Sequence, residues 1–90
     1  MFKLLISRRT RDFLEKLPPK QFRQVVKKIL SLCENPHPSD ARHLRGYPYL
    51  RVDVGEYRII YYPEGDELRI VLVGKRNDEE VYKRLSRKEV

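Results

Sequence analysis

The stretch from Leu50 to Arg76, LRVDVGEYRIIYYPEGDELRIVLVGKR, decides the fold of this chain. It contains three apolar runs separated by glycine-containing turns, which is the pattern of three consecutive antiparallel strands. A two-residue turn at Gly55-Glu56 would place Asp53 directly opposite Arg58. Because side chains alternate between the two faces of a strand, one face then holds Arg51, Asp53, Arg58, Ile60 and Tyr62. We call this side of the sheet the arginine face.

The second turn is predicted over Pro63-Glu64-Gly65-Asp66, four residues with strong turn propensity. This turn pairs Tyr62 with Glu67. The resulting register puts Leu72 on the apolar face of the sheet and Val73 on the arginine face.

Two helices precede these strands, and Ser7 can cap the start of the first one. Pro18 is expected to end the first helix, since the residue before a proline avoids the helical conformation, and Pro19 to begin the second. The first helix presents a stripe with spacing i, i+3, i+4, i+7, formed by Thr10, Phe13, Leu14 and Leu17. The second helix presents a longer stripe formed by Phe22, Val25, Val26, Ile29, Leu30 and Cys33.

The remaining segments complete a predicted order of β-α-α-β-β-β-α. Residues 2–6 form the first strand, which is expected to pair with the last strand of the meander or with another edge of it. The segment from Ala41 to Tyr49 is expected to be irregular, and a short helix is expected to follow Asn77. The sequence therefore predicts one α+β domain over residues 1–90. Its antiparallel sheet carries a helical hairpin on one face and leaves the arginine face open, concave and positive.

The charge of the chain points to an acidic partner. The 90 residues include 20 basic and 13 acidic side chains, a net charge of +7. Residues 1–34 alone hold nine basic and three acidic residues, a net charge of +6. An excess of this kind favours binding to a polyanion or an acidic protein, although it is also compatible with a solvated basic surface.

Several classes of function are poorly supported. The single Cys33 excludes an intramolecular disulfide and is expected to be a buried small hydrophobe. His37 and His43 match no metal-binding motif, so neither a metal site nor a cofactor is expected. The chain shows no membrane-spanning run and no signal peptide, which predicts a cytoplasmic location.

The arginines offer a chemistry of their own. A guanidinium group binds phosphate through two parallel hydrogen bonds and keeps its charge. Arg51, Arg58 and Arg76, if gathered in one place, could therefore stabilise the extra negative charge of a phosphorane transition state. The alternative is that such arginines only pair with acidic neighbours, which is the interpretation we favour for Arg69.

Four short motifs carry a family resemblance: LRG at residues 44–46, GEYRIIY at 55–61, VGKR at 73–76 and VY at 81–82. Together they resemble the RelE branch of the RelE/ParE toxin superfamily. The resemblance implies a RelE-like microbial RNase-type fold and the toxin of a type II toxin–antitoxin system. It implies a metal-independent, ribosome-dependent endoribonuclease that cuts mRNA in the A site by attack of the 2′-OH. The implied partners are a RelB-like antitoxin, the ribosome and mRNA, with no membrane and no small-molecule cofactor.

The resemblance also implies roles for individual residues. Arg51 would contact and polarise the substrate, Arg58 would bind phosphate, Arg76 would stabilise the transition state and Tyr82 would act as general base. Substrate-binding roles are implied for Lys75 and Arg45.

One position departs from the family pattern. Asp53 occupies a site that is basic in well-studied members of the family, and it would cancel part of the charge of Arg58. Lys75 could compensate if its ammonium group reaches the same pocket.

Two alternatives remain open. The chain could be a ParE-like inhibitor of a DNA topoisomerase such as gyrase, without nuclease activity, and the acidic Asp53 favours this reading. Against it, ParE-like chains tend to lack the series formed here by Arg76 and Tyr82. The second alternative is a basic RNA-binding module without catalysis.

Overall fold

The computed structural model describes residues 1–76 and Lys83. Within them the chain forms five strands and two helices. Their bounds are β1 Lys3–Ile6, α1 Arg8–Glu15, α2 Pro19–Glu34, β2 Arg42–His43, β3 Leu50–Val54, β4 Tyr57–Glu64 and β5 Glu67–Lys75. The predicted last helix, together with Tyr82, lies outside the described residues. Among these residues, no helix is long and apolar enough to cross a membrane.

The strands form one sheet in the order β1-β5-β4-β3-β2. The predicted α+β class is confirmed, and the first strand pairs with the last strand of the meander, as expected. The sheet is not wholly antiparallel, however, because β1 runs parallel to β5. No hairpin turn joins these two strands, so the helices and the meander between them set the direction of their pairing.

The segment before β3 is more regular than predicted. Arg42 and His43 form the short strand β2, which pairs antiparallel with the start of β3. The N–H of Leu44 donates to the carbonyl of Tyr49 at 2.9 Å, and this bond closes the loop between the two strands. The prediction of an irregular segment was wrong here because it considered turn residues and not the pairing available at the free edge of β3.

The predicted register of β3 and β4 is confirmed. Asp53 lies opposite Arg58, with Gly55 in the turn at a φ of +58°. Glycine is the residue that adopts this conformation at little cost. The arginine face therefore carries the side chains that the sequence assigned to it at this end of the sheet.

The predicted register of β4 and β5 is wrong. The turn contains only Gly65 and Asp66, since Glu64 pairs with Glu67 and β4 continues through Pro63. Tyr62 consequently lies opposite Arg69 rather than Glu67.

A register shift in the same strand pair changes the faces of two more residues. The shift lies between Ile60 and Tyr61 on β4. Past it, Leu72 lies opposite Ile60 on the arginine face, and Val73 lies opposite Ile59 under the helices. Both assignments reverse the prediction, because one extra residue in a strand exchanges the faces of all residues beyond it.

The helices cover the other face of the sheet. α1 begins after Ser7, whose side chain accepts the N–H of Thr10 at 3.1 Å, and α2 begins at Pro19, as predicted. Cys33 is buried, as expected, and burial raises the pKa of its thiol.

The buried stripe of α2 is narrower and slightly rotated compared with the prediction. The side chains that face the sheet belong to Val25, Ile29, Leu32 and Cys33. Phe22 and Leu30, assigned to the core by periodicity, are 37 % and 54 % exposed. Only one side of a helix can contact the sheet, so residues at the margins of a broad apolar stripe remain exposed.

The arginine face is not entirely open. Leu44, Ile60 and Leu72 form a second buried cluster there. Tyr47 and Tyr49 pack against it. The loop of residues 44–49 therefore covers the middle of the arginine face, which the sequence left uncovered.

Tyr61 links the core to the segment after α2. Its ring is completely buried, and its hydroxyl donates to the carbonyl of Pro36 at 2.7 Å. Burial, together with the charge of Asp40, raises the pKa of Tyr61 to about 12. The hydroxyl therefore remains a donor across the physiological pH range.

We expect Tyr61→Phe to lower the free energy of unfolding by about 1–3 kcal/mol, because it leaves the buried carbonyl of Pro36 without its donor. Urea denaturation followed by circular dichroism measures the change. Tyr62→Phe is the matched control, since Tyr62 is half-buried and its hydroxyl makes no hydrogen bond within residues 1–76. A loss for Tyr61→Phe no larger than that of the control would contradict this account.

Candidate functional site

A bidentate ion pair lies at the centre of the candidate site. Arg58 donates from Nε to Oδ1 of Asp53 at 2.7 Å and from Nη2 to Oδ2 at 3.2 Å. The two side chains are 15 % and 31 % exposed, respectively. The cross-strand pair expected from the register is therefore formed, with the fork geometry in which guanidinium and carboxylate bind most strongly.

Two further arginines lie around the same carboxylate. The hydrogen bond from Arg58 is the main cause that holds the pKa of Asp53 below its ordinary value of 3.8, although burial acts in the opposite direction. The charges of Arg58, Arg51 and Arg76 lower this pKa further. The structure thus brings the three predicted arginines together, and we call Arg51, Arg58 and Arg76 the arginine cluster.

Backbone pairing positions the members of the cluster. Arg51 lies opposite Ile60, which is fully buried and anchors this part of β4. Arg76 follows β5 directly, and its N–H donates to the carbonyl of Glu56 at 2.9 Å. This bond ties the end of β5 to the turn between β3 and β4, so Arg76 lies next to that turn.

The structure does not bring Lys75 to the cluster. Lys75 pairs with Tyr57, whose ring lies in the core under the helices. Residues directly opposite each other in an antiparallel ladder point to the same side of the sheet. The exposed Lys75 side chain therefore faces the helical side, away from the arginine cluster.

Arg45 and Arg69 are not among the arginines whose charges lower the pKa of Asp53. Arg45 is exposed at the turn of the 44–49 loop, beside Gly46 with its φ of +86°. Arg69 lies on β5, where its Nη2 is 3.2 Å from Glu67 and its Nε is 3.9 Å from Glu64. The prediction that Arg69 pairs with acidic neighbours is confirmed.

The histidines lie on segments other than β3, β4 and the end of β5, which carry the arginine cluster. His37 is exposed and its backbone N–H donates to the side chain of Asn35, while His43 is exposed on β2. Among the described residues, no group of three or more His, Cys, Asp or Glu side chains is placed to hold a metal ion.

Sequence reasoning placed Tyr62 on the arginine face but missed the two tyrosines of the 44–49 loop that pack beside it. Tyr49 lies between Tyr47 and Tyr62, with ring centroids 5.9 and 6.0 Å away, respectively. Two features of the sequence indicate this group of tyrosines. Tyr47 and Tyr49 alternate along the chain, and Tyr62 lies an even number of residues from Arg58 on β4. These features were overlooked because the loop was not expected to fold back on the sheet.

The arrangement is suited to binding an anion with distributed charge. Within residues 1–76, Arg51 and Arg76 make no ion pair closer than 4 Å. Their guanidinium groups can therefore donate to phosphate oxygens, while Asp53 fixes the orientation of Arg58. Asp53 also lowers the net charge of the cluster from three positive charges to two.

A family model describes most of this chain. The model of the ParE toxin of type II toxin–antitoxin systems matches residues 4–80. A comparison with curated protein sequences finds no significant match.

Solved structures share the fold. The chain is similar to a mutant form of the Escherichia coli toxin RelE in the free state, with a TM-score of 0.78 and 24 % identity over 99 % of this chain and 98 % of that one. It is also similar to RelE in the Pyrococcus horikoshii RelE–RelB complex (TM-score 0.74, 23 % identity, 83 % of this chain and 94 % of that one). The intact E. coli RelBE toxin–antitoxin complex gives a TM-score of 0.70 and 26 % identity over 83 % of this chain and 96 % of that one.

The fold, the motif series and the family model agree, and we conclude that the chain belongs to the ParE toxin family of type II toxin–antitoxin systems, within the RelE/ParE superfamily.

Proposed function

We propose that this toxin is an endoribonuclease that cuts mRNA in the ribosomal A site, with the 2′-OH of the RNA as the nucleophile. The observation that carries the proposal is the gathering of Arg51, Arg58 and Arg76 around one carboxylate at the end of the sheet. Such a cluster suits a backbone phosphate better than it suits a neutral substrate.

The chemistry requires charge stabilisation above all. Attack of the 2′-OH produces a phosphorane that carries more negative charge than the phosphodiester. Donors aimed at that charge lower the barrier, and removal of one such donor typically costs 10²–10³-fold in rate. Arg51 and Arg76 suit this role because neither is held in an ion pair within residues 1–76.

The general base in this proposal is Tyr82. An ordinary tyrosine is protonated at neutral pH, and nearby positive charge favours its ionised form. Arg76 lies six residues before Tyr82 in the sequence and would supply such charge. Tyr82 lies outside the described residues, so its role rests on the resemblance alone.

Asp53 should make the enzyme weaker than a toxin with a basic residue at this position. It neutralises one guanidinium of the three, and Lys75 points to the other side of the sheet and does not replace the missing charge. The acid role that a basic residue would fill must then pass to another group or to water.

The proposed partners are a RelB-like antitoxin, the ribosome and its mRNA. Solved complexes of RelE with RelB, from P. horikoshii and E. coli, support an antitoxin partner. A basic toxin with exposed Phe22 and Leu30 on α2 suits an acidic or amphipathic segment that folds as it binds.

A second candidate function is inhibition of a DNA topoisomerase, without RNA cleavage. Two observations favour it: the family model that matches is that of ParE, and Asp53 accepts two hydrogen bonds from the Nε and Nη2 atoms of Arg58. Expression would then induce the SOS response and leave mRNA intact.

We expect Arg76→Ala and Arg51→Ala each to relieve growth arrest and to reduce mRNA cutting about 10²-fold or more, because each removes a donor to the transition state. Primer extension on cellular mRNA after induced expression measures the cutting. Arg23→Ala is the matched control, since Arg23 is exposed on α2 and its loss removes the same charge from the helical side. If both cluster variants arrest growth and cut mRNA as the wild type does, the nuclease assignment is wrong.

We expect Asp53→Asn to bind single-stranded RNA more tightly than wild type, because Asn can still accept from Arg58 but no longer cancels its charge. One additional phosphate contact makes the slope of log K against log salt steeper by about 0.7. Fluorescence anisotropy with a 2′-O-methyl RNA, measured over a salt series, gives both quantities.

The matched control for that experiment is Asp40→Asn. Asp40 pairs with Lys28 at 2.9 Å on the helical side, and its substitution removes the same charge. An unchanged slope for Asp53→Asn, or an equal increase for both variants, would show that the arginine cluster does not contact phosphate.

A further inference from the structure

A cavity of about 770 Å³ opens on the arginine face between the 44–49 loop and the edge strand β1. Its volume lies within the range of roughly 300–1,000 Å³ that is typical of ligand sites. Apolar side chains of β1 and β5 form much of its wall, including Leu5, Ile6 and Leu72. The cavity is separate from the arginine cluster, because none of the three cluster arginines lines it.

Two tyrosines form an aromatic corner of this cavity. Tyr49 and Tyr62 both line it, with ring centroids 6.0 Å apart and ring planes at 70°. Tyr47 stacks on Tyr49 at an interplanar angle of 10° and supports it from the loop. Both cavity tyrosines are half-buried, so part of each ring remains accessible. A fixed aromatic ring beside an apolar slot is the platform on which nucleobases stack.

Charged groups complete the lining. Arg9, at the start of α1, and Arg69, on β5, both line the cavity. Glu64 lines it as well, at 3.9 Å from Nε of Arg69. Guanidinium groups donate to phosphate and to the acceptor groups of bases, and a carboxylate accepts from an exocyclic amino group.

The cavity and the arginine cluster are within reach of one RNA strand. Arg58 and Tyr62 lie on the same strand, β4, and on the same face. They are four residues apart, which corresponds to about 13 Å at the rise of an extended strand. A flexible single strand whose phosphate lies at the cluster could therefore place a neighbouring base beside Tyr62.

We propose that this cavity binds a nucleobase of the single-stranded RNA whose phosphate is held by the arginine cluster. The proposal rests on the proposed function in one respect, namely that the ligand of the toxin is RNA. Apolar walls stack the base against Tyr49 and Tyr62, and the polar groups of Arg9, Arg69 and Glu64 contact its edge or the adjoining backbone. The site would hold a nucleotide near the scissile phosphate and so contribute to the choice of cleavage position.

A side chain of a partner protein is the competing occupant. It would fill the apolar walls, whereas a nucleobase would in addition stack on the aromatic corner. The net charge of +7 also favours a polyanion over an apolar peptide segment.

The test measures binding of a short, fluorescent 2′-O-methyl RNA by anisotropy at low salt. Tyr62→Leu should weaken binding about ten-fold, since stacking on one aromatic ring contributes a factor of this order for each base. Tyr62→Phe keeps the ring, so it should lose less affinity than Tyr62→Leu. Phe22→Leu is the control, as it removes an exposed aromatic ring from the helical side.

A second probe separates stacking from attraction to phosphate. The second RNA has the same length but abasic residues. Wild type should bind this abasic RNA about ten-fold more weakly than it binds intact RNA. Tyr62→Leu should bind the abasic RNA and the intact RNA with equal affinity. Equal affinity of wild type for the two RNAs would overturn the proposal. So would an NMR titration in which a RelB-like antitoxin, and not RNA, perturbs the amide signals of Leu5 and Tyr62. Because the probe lacks the attacking hydroxyl, the result does not depend on whether the toxin is a nuclease.

Discussion

Burial of strand β4 on both faces is the constraint on which the rest of this structure depends. Ile59 and Tyr61 are buried against the helices, and Ile60 is buried under the 44–49 loop. A chain of 90 residues has little apolar surface to spare, so a strand buried on both sides contributes a large share of the stabilisation. Burial on both faces also fixes β3 and β5 in one register against β4. The arginine cluster and the cavity are both positioned by that register.

The charge balance at the end of the sheet follows from that placement. Pairing of β3 with β4 brings Asp53 and Arg58 together, and the bond from Arg76 N–H to Glu56 brings in the third arginine. Three like charges so close would repel one another, and a central carboxylate offsets part of that repulsion. Asp53 thus stabilises the cluster in the free protein and weakens its field toward a phosphate. These two effects have the same physical origin and cannot be separated at this position.

The 44–49 loop divides the arginine face into two regions of different character. At one end lie the charged cluster and its carboxylate, and at the other end lies the cavity with its aromatic corner. Both regions use side chains from β4, so the spacing between them is set by the strand. A spacing that is set by one strand allows a single extended ligand to contact both regions at once.

The sequence by itself determined the features that depend on neighbouring residues. Local rules account for the β3–β4 turn and for the Asp53–Arg58 pair that it sets. They also account for the start of the helices after Ser7 and at Pro19 and for the burial of Cys33. Hairpin register and alternation also placed Arg51 and Arg58 on one face, whereas Arg76 is brought to them by the bond from its N–H to the carbonyl of Glu56.

Only the tertiary structure decided the parallel pairing of β1, the short strand β2, the irregularity beside Ile60 and the rotation of α2 that exposes Leu30. The folding of Tyr47 and Tyr49 onto the sheet belongs to the same group. Each of these features depends on contacts between segments that are distant in the chain. Their free energies arise from packing in three dimensions, which periodicity and turn propensity do not contain.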